Sequence, residues 1–249
     1  MRCGRVGFLR RIAAAASGFG VFAACNGSVQ GQGQTTQEFA EARAEMVRTQ
    51  IEARGVHDPR VLEALRTVPR HRFVPAHLES SAYDDGPLPI GHGQTISQPY
   101  IVAVMSEQLA PEPDDVVLDV GTGSGYQAAV LSRLVKQVYS IEIVPALAEE
   151  ARARLASLGY TNVEVITADG WAGLPAHAPY DGILVAAAPP EVPTALKDQL
   201  APGARLVIPV GASNQDLRVL ERSADGFEER TLFGVRFVPL VGDEGSRGP

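Results

Sequence analysis

The sequence predicts an α/β fold: a mostly parallel, doubly wound sheet with helices on both faces, preceded by extra N-terminal helices. Three observations predict it. From Val116 onward short apolar runs alternate with helical patterns, a glycine turn joins the first run to its helix, and Gly and Pro punctuate the later joins. With 249 residues, 45% hydrophobic and 20% charged, the chain supports one sizeable core. One domain, residues 38–249, is expected behind a leader, residues 1–37.

The leader carries Arg2, Arg5, Arg10 and Arg11, then the small and apolar run Ile12 to Ala24, then Cys25 and a Gly/Gln/Ser/Thr-rich stretch. Phe22-Ala23-Ala24-Cys25 resembles a bacterial lipoprotein cleavage site, with Cys25 as the acylated residue, although leucine is usual where Phe22 stands. Arg10-Arg11 is also similar to a twin-arginine export signal. A low-complexity leader, or a start codon upstream of the one used, is the plain alternative.

The domain opens with a helical pattern, Phe39, Ala42, Met46 and Ile51, that stops at Gly55. Asp58 is suited to cap a second helix, with Pro59 at its first position and the Pro69 region as its end. These helices are expected to form a lid or a flank. Tyr83 to Pro99 has the Gly, Pro and Asp density of an ordered loop. Ser97 stands before an apolar helix, Tyr100 to Leu109, where an N-cap hydroxyl contributes about 1 kcal/mol.

Val116 to Val120 reads as a buried strand and about Tyr126 to Val135 as a helix, joined by Gly121, Thr122, Gly123, Ser124 and Gly125. Glycines there permit a sharp turn and close approach of a ligand to backbone N–H groups at a helix start, a place for a carboxylate or a phosphate. In a dinucleotide fingerprint the third glycine would fall where Tyr126 stands, which disfavours NAD. Asp119-x-Gly121-x-Gly123-x-Gly125 instead resembles the first motif of S-adenosylmethionine-dependent methyltransferases. Glu142 ends the next apolar run 21 residues after Gly121, where a carboxylate grips ribose hydroxyls. A bland glycine-rich turn is the alternative.

Pro145 then starts a helix with Leu147, Ala151, Leu155 and Leu158 on one face, closed by Gly159. Val163 to Ile166 is a strand leading to Ala168-Asp169-Gly170-Trp171, and Tyr180 to Val185 is another, followed by Ala186-Ala187-Ala188-Pro189-Pro190. In methyltransferases an acid after the third strand commonly contacts the adenine amino group, so the resemblance points to Asp169; an ordinary Asp-Gly turn is the alternative. Pro202-Gly203 punctuates the approach to a strand at Arg205 to Val210, and Leu217 to Leu220 and Val235 to Leu240 supply terminal strands.

Gly93-Gln94-Thr95-Ile96-Ser97-Gln98-Pro99, the glycine motif and Val235-Arg236-Phe237-Val238-Pro239-Leu240 together resemble the protein-L-isoaspartate O-methyltransferase family over about residues 40 to 241. The family usually reads Gly-Asp-Gly where this chain has Ala168-Asp169-Gly170. The resemblance implies a Rossmann-like methyltransferase fold, S-adenosylmethionine as cofactor, Ser97 as the active-site hydroxyl, and Thr95, Ile96, Asp119, Gly121, Thr122, Gly123, Gly125, Glu142, Asp169 and Gly170 around the cofactor. It implies isoaspartyl-containing proteins and peptides as substrates, and a monomer is the expected state. Another methyltransferase, or a non-catalytic binder of damaged peptides tethered through Cys25, are the rival readings.

Charge and composition narrow this further. The whole chain carries a formal −7, and because residues 1–37 hold four arginines and no acid, the remainder carries −11. Such a surface repels phosphate backbones, so no nucleic acid is expected as a partner. Ala188 and Glu191 flank Pro-Pro where base-directed amine methyltransferases tend to carry Asn or Asp and an aromatic. Cys3 and Cys25 both precede the domain, and His57, His71, His77, His92 and His177 lack close ligand spacing, so neither disulfides nor a metal site is expected. S-adenosylmethionine is made inside the cell, which favours a cytoplasmic chain; export as a periplasmic lipoprotein acylated at Cys25 is the alternative.

Overall fold

The computed structural model describes residues 34–242, so Cys3, Cys25 and the leader before residue 34 lie outside the described residues. Helix α1 (Thr36–Met46) opens on a reciprocal cap: the Thr35 hydroxyl accepts from the Glu38 N–H while the Glu38 carboxylate accepts from that of Thr35. A π turn (Val47–Ile51) follows, bringing Met46, Val47 and Ile51 into the core together, before the chain ends this stretch at Gly55 with φ +94°. Helix α2 (Pro59–Thr67) is capped by Asp58, whose carboxylate accepts from Arg60 N at 2.8 Å, and buries Val61, Leu62, Ala64 and Leu65.

The segment read as an ordered loop contains a hairpin, β1 (Leu88–Gly91) with β2 (Gln94–Ile96). Helix α3 (Pro99–Leu109) follows it. Its N-cap is Gln98, not Ser97, because Pro99 takes the first helical position and the residue before it must be the cap. Then come β3 (Val116–Val120), α4 (Tyr126–Leu131), β4 (Gln137–Glu142), α5 (Pro145–Ser157), β5 (Val163–Thr167), β6 (Tyr180–Val185), α6 (Thr194–Asp198), β7 (Leu200–Val210), β8 (Gln215–Ser223) and β9 (Gly226–Val235).

The last seven strands form one sheet in the order β5-β4-β3-β6-β7-β8-β9. The first five are parallel, and β8 and β9 add antiparallel partners at one edge. Neighbouring side chains alternate between two cores. Val117 and Leu184 face the one covered by α1 to α5, while Leu118, Ile183 and Val185 face the one closed by α6, Trp171 and Leu240. The N-terminal helices therefore flank the sheet.

Three boundaries differ from the sequence expectation. Helix α4 stops at Leu131, short of Val135, as the Ser132 hydroxyl donates to the Ala129 carbonyl and the following N–H groups close tighter turns. Strand β7 starts at Leu200 and runs through Pro202-Gly203, which it accommodates as a bulge between the Tyr180–Leu200 and Gly182–Arg205 pairs. The final strand is Gly226–Val235. Residues 236–240 instead cross the end of the sheet as a strap, held by the Ala188–Pro239 bridge.

Candidate active site

From β3 the chain turns to β4 on one side and later returns to β6 on the other, so a crevice opens at the carboxyl ends of β3 and β6. The pocket there spans about 820 Å³ of empty space, part of it open solvent. Its walls are the glycine turn, the end of β4 at Glu142, Gly170, Ala186-Ala187, the strap at Val238 to Val241, and Gln94 to Ser97 from the hairpin.

The glycine turn is shaped by backbone that side chains would obstruct. Gly121, Gly123 and Gly125 all have positive φ, and a Cβ on Gly123 would lie 3.2 Å from Ile90 of the hairpin. Gly121 N and Thr122 N both donate to the Ile141 carbonyl, and Arg154 donates to the Ser124 carbonyl at 2.8 Å. The turn is thus pinned to β4 and α5. Tyr126 packs inward, edge-on to Phe73 and under the Arg70 guanidinium at 4.9 Å.

Glu142 is 6% exposed, and its two oxygens accept from Gly123 N at 2.8 Å and Val144 N at 3.0 Å. A carboxylate offers about four lone-pair positions, so acceptor capacity remains toward the cavity. The turn's missing Cβ atoms and this fixed anion fit an adenosyl cofactor with ribose hydroxyls to satisfy.

Thr95, Ile96, Ser97, Gly121, Thr122, Gly123, Glu142 and Gly170 all line the cavity. Ser97 has no hydrogen-bond partner among the described residues and also lines a groove adjoining the cavity. Three expected contacts stand off the wall. Gly125 closes the turn against Leu155, where a Cβ would meet Leu155 at 3.1 Å. Asp169 accepts from Trp171 N at 2.9 Å and lies against Gly242, while Gly170 takes the wall position, where a Cβ would meet Val120 at 2.7 Å and Leu240 at 2.9 Å.

Asp119 is the third. It is fully buried beneath the turn, where Ser140 donates to its Oδ2 at 2.7 Å and the Ser140 hydroxyl lies 2.6 Å from that of Thr122. It reaches the cavity only through those two hydroxyls. Burial pushes the Asp119 carboxyl up to about 7, the Glu142 charge adding to the effect and the Ser140 bond opposing it. An unfolded carboxyl titrates near about 3.9. Between about pH 4 and 7 the folded chain therefore keeps a proton the unfolded chain has lost, and this group lowers stability as pH rises through that window. His71, lowered to about 4 by burial and then by Arg43 and Arg72, contributes the opposite slope there. Comparison with a variant isolates Asp119. In urea melts, Asp119→Asn is expected to gain stability relative to wild type between about pH 4.5 and 7.5; a pH-independent difference would rule out Asp119 as the source.

Two features of the wall were not anticipated as such. Val238 to Val241 close the cavity as a strap, although the run Val235 to Leu240 suggested a strand, and Ala186 presents only a methyl group to it. Among the described residues no cluster of His, Cys, Asp or Glu suits a metal ion, and no helix is long and apolar enough to cross a membrane.

The profile of the protein-L-isoaspartate(D-aspartate) O-methyltransferases matches residues 41–245. The chain belongs to that family. The protein-L-isoaspartate O-methyltransferase of a Synechococcus species is 56% identical over 211 residues, 82% of this chain and 86% of that one. The one from Methanoregula boonei is 56% identical over 207 residues, covering 83% and 95%. A Plasmodium falciparum structure of the protein-L-isoaspartate O-methyltransferase type, in complex with S-adenosyl-L-homocysteine, superposes with a TM-score of 0.69 at 25% identity, covering 80% of this chain and 98% of that one. A further solved protein-L-isoaspartate O-methyltransferase gives a TM-score of 0.73 at 28% identity, over 80% of this chain and 66% of the other. This family member is accordingly an S-adenosylmethionine-dependent methyltransferase with the Rossmann-like fold expected of one.

Proposed function

We infer that this chain transfers a methyl group from S-adenosylmethionine to the α-carboxylate of L-isoaspartyl residues in damaged proteins and peptides, the first step in their repair. The observation that carries this reading, beside family membership, is the junction at Ser97, which lines both the cofactor cavity and the adjoining groove. A peptide in the groove meets the cofactor there.

S-adenosylmethionine bound there would supply an electrophilic methyl on a sulfonium; the substrate carboxylate oxygen would bond to that carbon as its bond to sulfur breaks, leaving a methyl ester and neutral S-adenosyl-L-homocysteine. A carboxylate of pKa about 3.5 to 4 is already ionised at neutral pH, so no strong general base is required. The chain's own part is positioning. Ser97 donates a hydrogen bond to the substrate carboxylate and turns a lone pair toward the cavity. Glu142 holds the ribose hydroxyls, Thr95, Ile96, Gly121, Thr122, Gly123 and Gly170 shape the walls, and Asp169, which accepts from Trp171 N, fixes the turn that puts Gly170 there. Gly125 sets the turn, and Asp119 supports Thr122 through Ser140 without touching ligand. Approximation of this kind can supply several kcal/mol, and the strap gives the reacting centre an apolar side.

The supply of S-adenosylmethionine supports a cytoplasmic location; recovery of the chain from membranes, acylated at Cys25, would overturn that.

Two peptides differing only in Asp or isoAsp at one position test the activity. They share composition and charge, so only a site that reads carboxylate placement separates them. Labelled methyl is expected on the isoAsp peptide alone, as a base-labile ester. Equal labelling of both, or labelling of small amines and neither peptide, would sink the isoaspartyl assignment.

A further inference from the structure

The groove that meets the cofactor cavity at Thr95, Ser97, Ala186 and Val238 continues past Gln98 and Phe237 to Arg236. Arg236 is the one charged side chain among the residues that line it. Arg236 is exposed, and no acid lies within ion-pair distance of it among the described residues. Asp85, which accepts from Gln98 of the same wall at 2.7 Å, is already paired with Arg54 at 3.1 Å. Among the described residues the groove therefore offers one uncompensated cation, on a chain whose net charge is −7.

We propose that Arg236 is a specificity-determining residue that selects isoaspartyl peptides carrying a second carboxylate beside the modified residue. This rests on the isoaspartyl reading above. The reacting carboxylate is not its target, because Arg236 lines the groove and not the cavity, whereas Ser97 lines both. A guanidinium bound to the nucleophile would also occupy the lone pairs that must attack. One residue further along the groove, a side-chain carboxylate gains the fork of Arg236 and a lysine meets like charge. Acidic peptides, which the overall negative charge repels at long range, are thus received locally.

The test uses three isoAsp peptides of equal length with Asp, Ala or Lys after the isoaspartyl residue, and compares kcat/KM for methyl transfer by the full chain. Wild type is expected to prefer Asp over Lys by about tenfold at low salt, attraction and repulsion combined, with the ratio shrinking at about 0.5 M salt. Arg236→Lys keeps the order Asp, Ala, Lys; Arg236→Glu reverses it. Equal kcat/KM for all three peptides in wild type, or an equal fall for all three in Arg236→Glu, would overturn the proposal while leaving the isoaspartyl activity standing. Failure of wild type to label any of the three would instead remove the activity on which it rests.

Discussion

Ser97→Ala is expected to turn over isoaspartyl peptide at least tenfold more slowly, with S-adenosylmethionine affinity and melting temperature close to wild type. The expectation follows from where the hydroxyl stands. It has no partner among the described residues, lines both cavity and groove, and does not cap α3, whose N-cap is Gln98. Removing it costs the fold little. In the reaction we propose it donates to an ionised carboxylate, and one charge-assisted hydrogen bond of this kind is worth roughly 1.5 to 3 kcal/mol of barrier, or about tenfold or more in rate. Steady-state kinetics, calorimetric cofactor binding and thermal melting on the same preparation separate the alternatives. A fall in melting temperature with unchanged turnover per folded molecule would return Ser97 to a purely structural role.

The residues that carry the parallel sheet were legible because burial on both faces leaves mostly apolar runs, broken only by Asp119, Ser140, Asp181 and Gly182: Val116 to Val120, Val138 to Ile141 and Tyr180 to Val185 all lie within strands of the structure. The glycine turn and Glu142 were legible for a related reason, since both are set by local chemistry at strand ends. What escaped was whatever depends on a distant partner. Strand β9 reads Phe227-Glu228-Glu229-Arg230-Thr231 and is mostly exposed, so no apolar pattern marks it at the sheet edge. The hairpin β1–β2 is only four residues against three, packed with Gly and Pro. Asp119 looked like a wall residue because it precedes the glycines. Its burial is decided by the β3–β4 register, which sets it beside Ser140, and no local feature of the chain announces that pairing. Residues 236–240 were apolar enough to suggest a strand, but β9 had already filled the edge, leaving this run free to cap the cavity.

Glu142→Ala is expected to weaken S-adenosylmethionine binding by about 1 to 3 kcal/mol, because the ribose hydroxyls we propose it holds would lose a charged acceptor. The carboxylate does more than wait for a ligand, however. Its oxygens accept from Gly123 N and Val144 N, so it also ties the glycine turn to the start of α5. Alanine leaves both N–H groups without that acceptor, and a modest loss of stability is expected to accompany the loss of affinity. Glu142→Gln separates the two effects. Its amide oxygen can accept one of the backbone bonds, but its NH₂ must then face the other N–H donor, so the turn is only half repaired and the charge is gone. Calorimetry should therefore place the glutamine variant between wild type and alanine in cofactor affinity, with melting temperature in the same order. Cofactor affinity unchanged in both variants would remove Glu142 from the ribose site and leave it as a tether of the glycine turn.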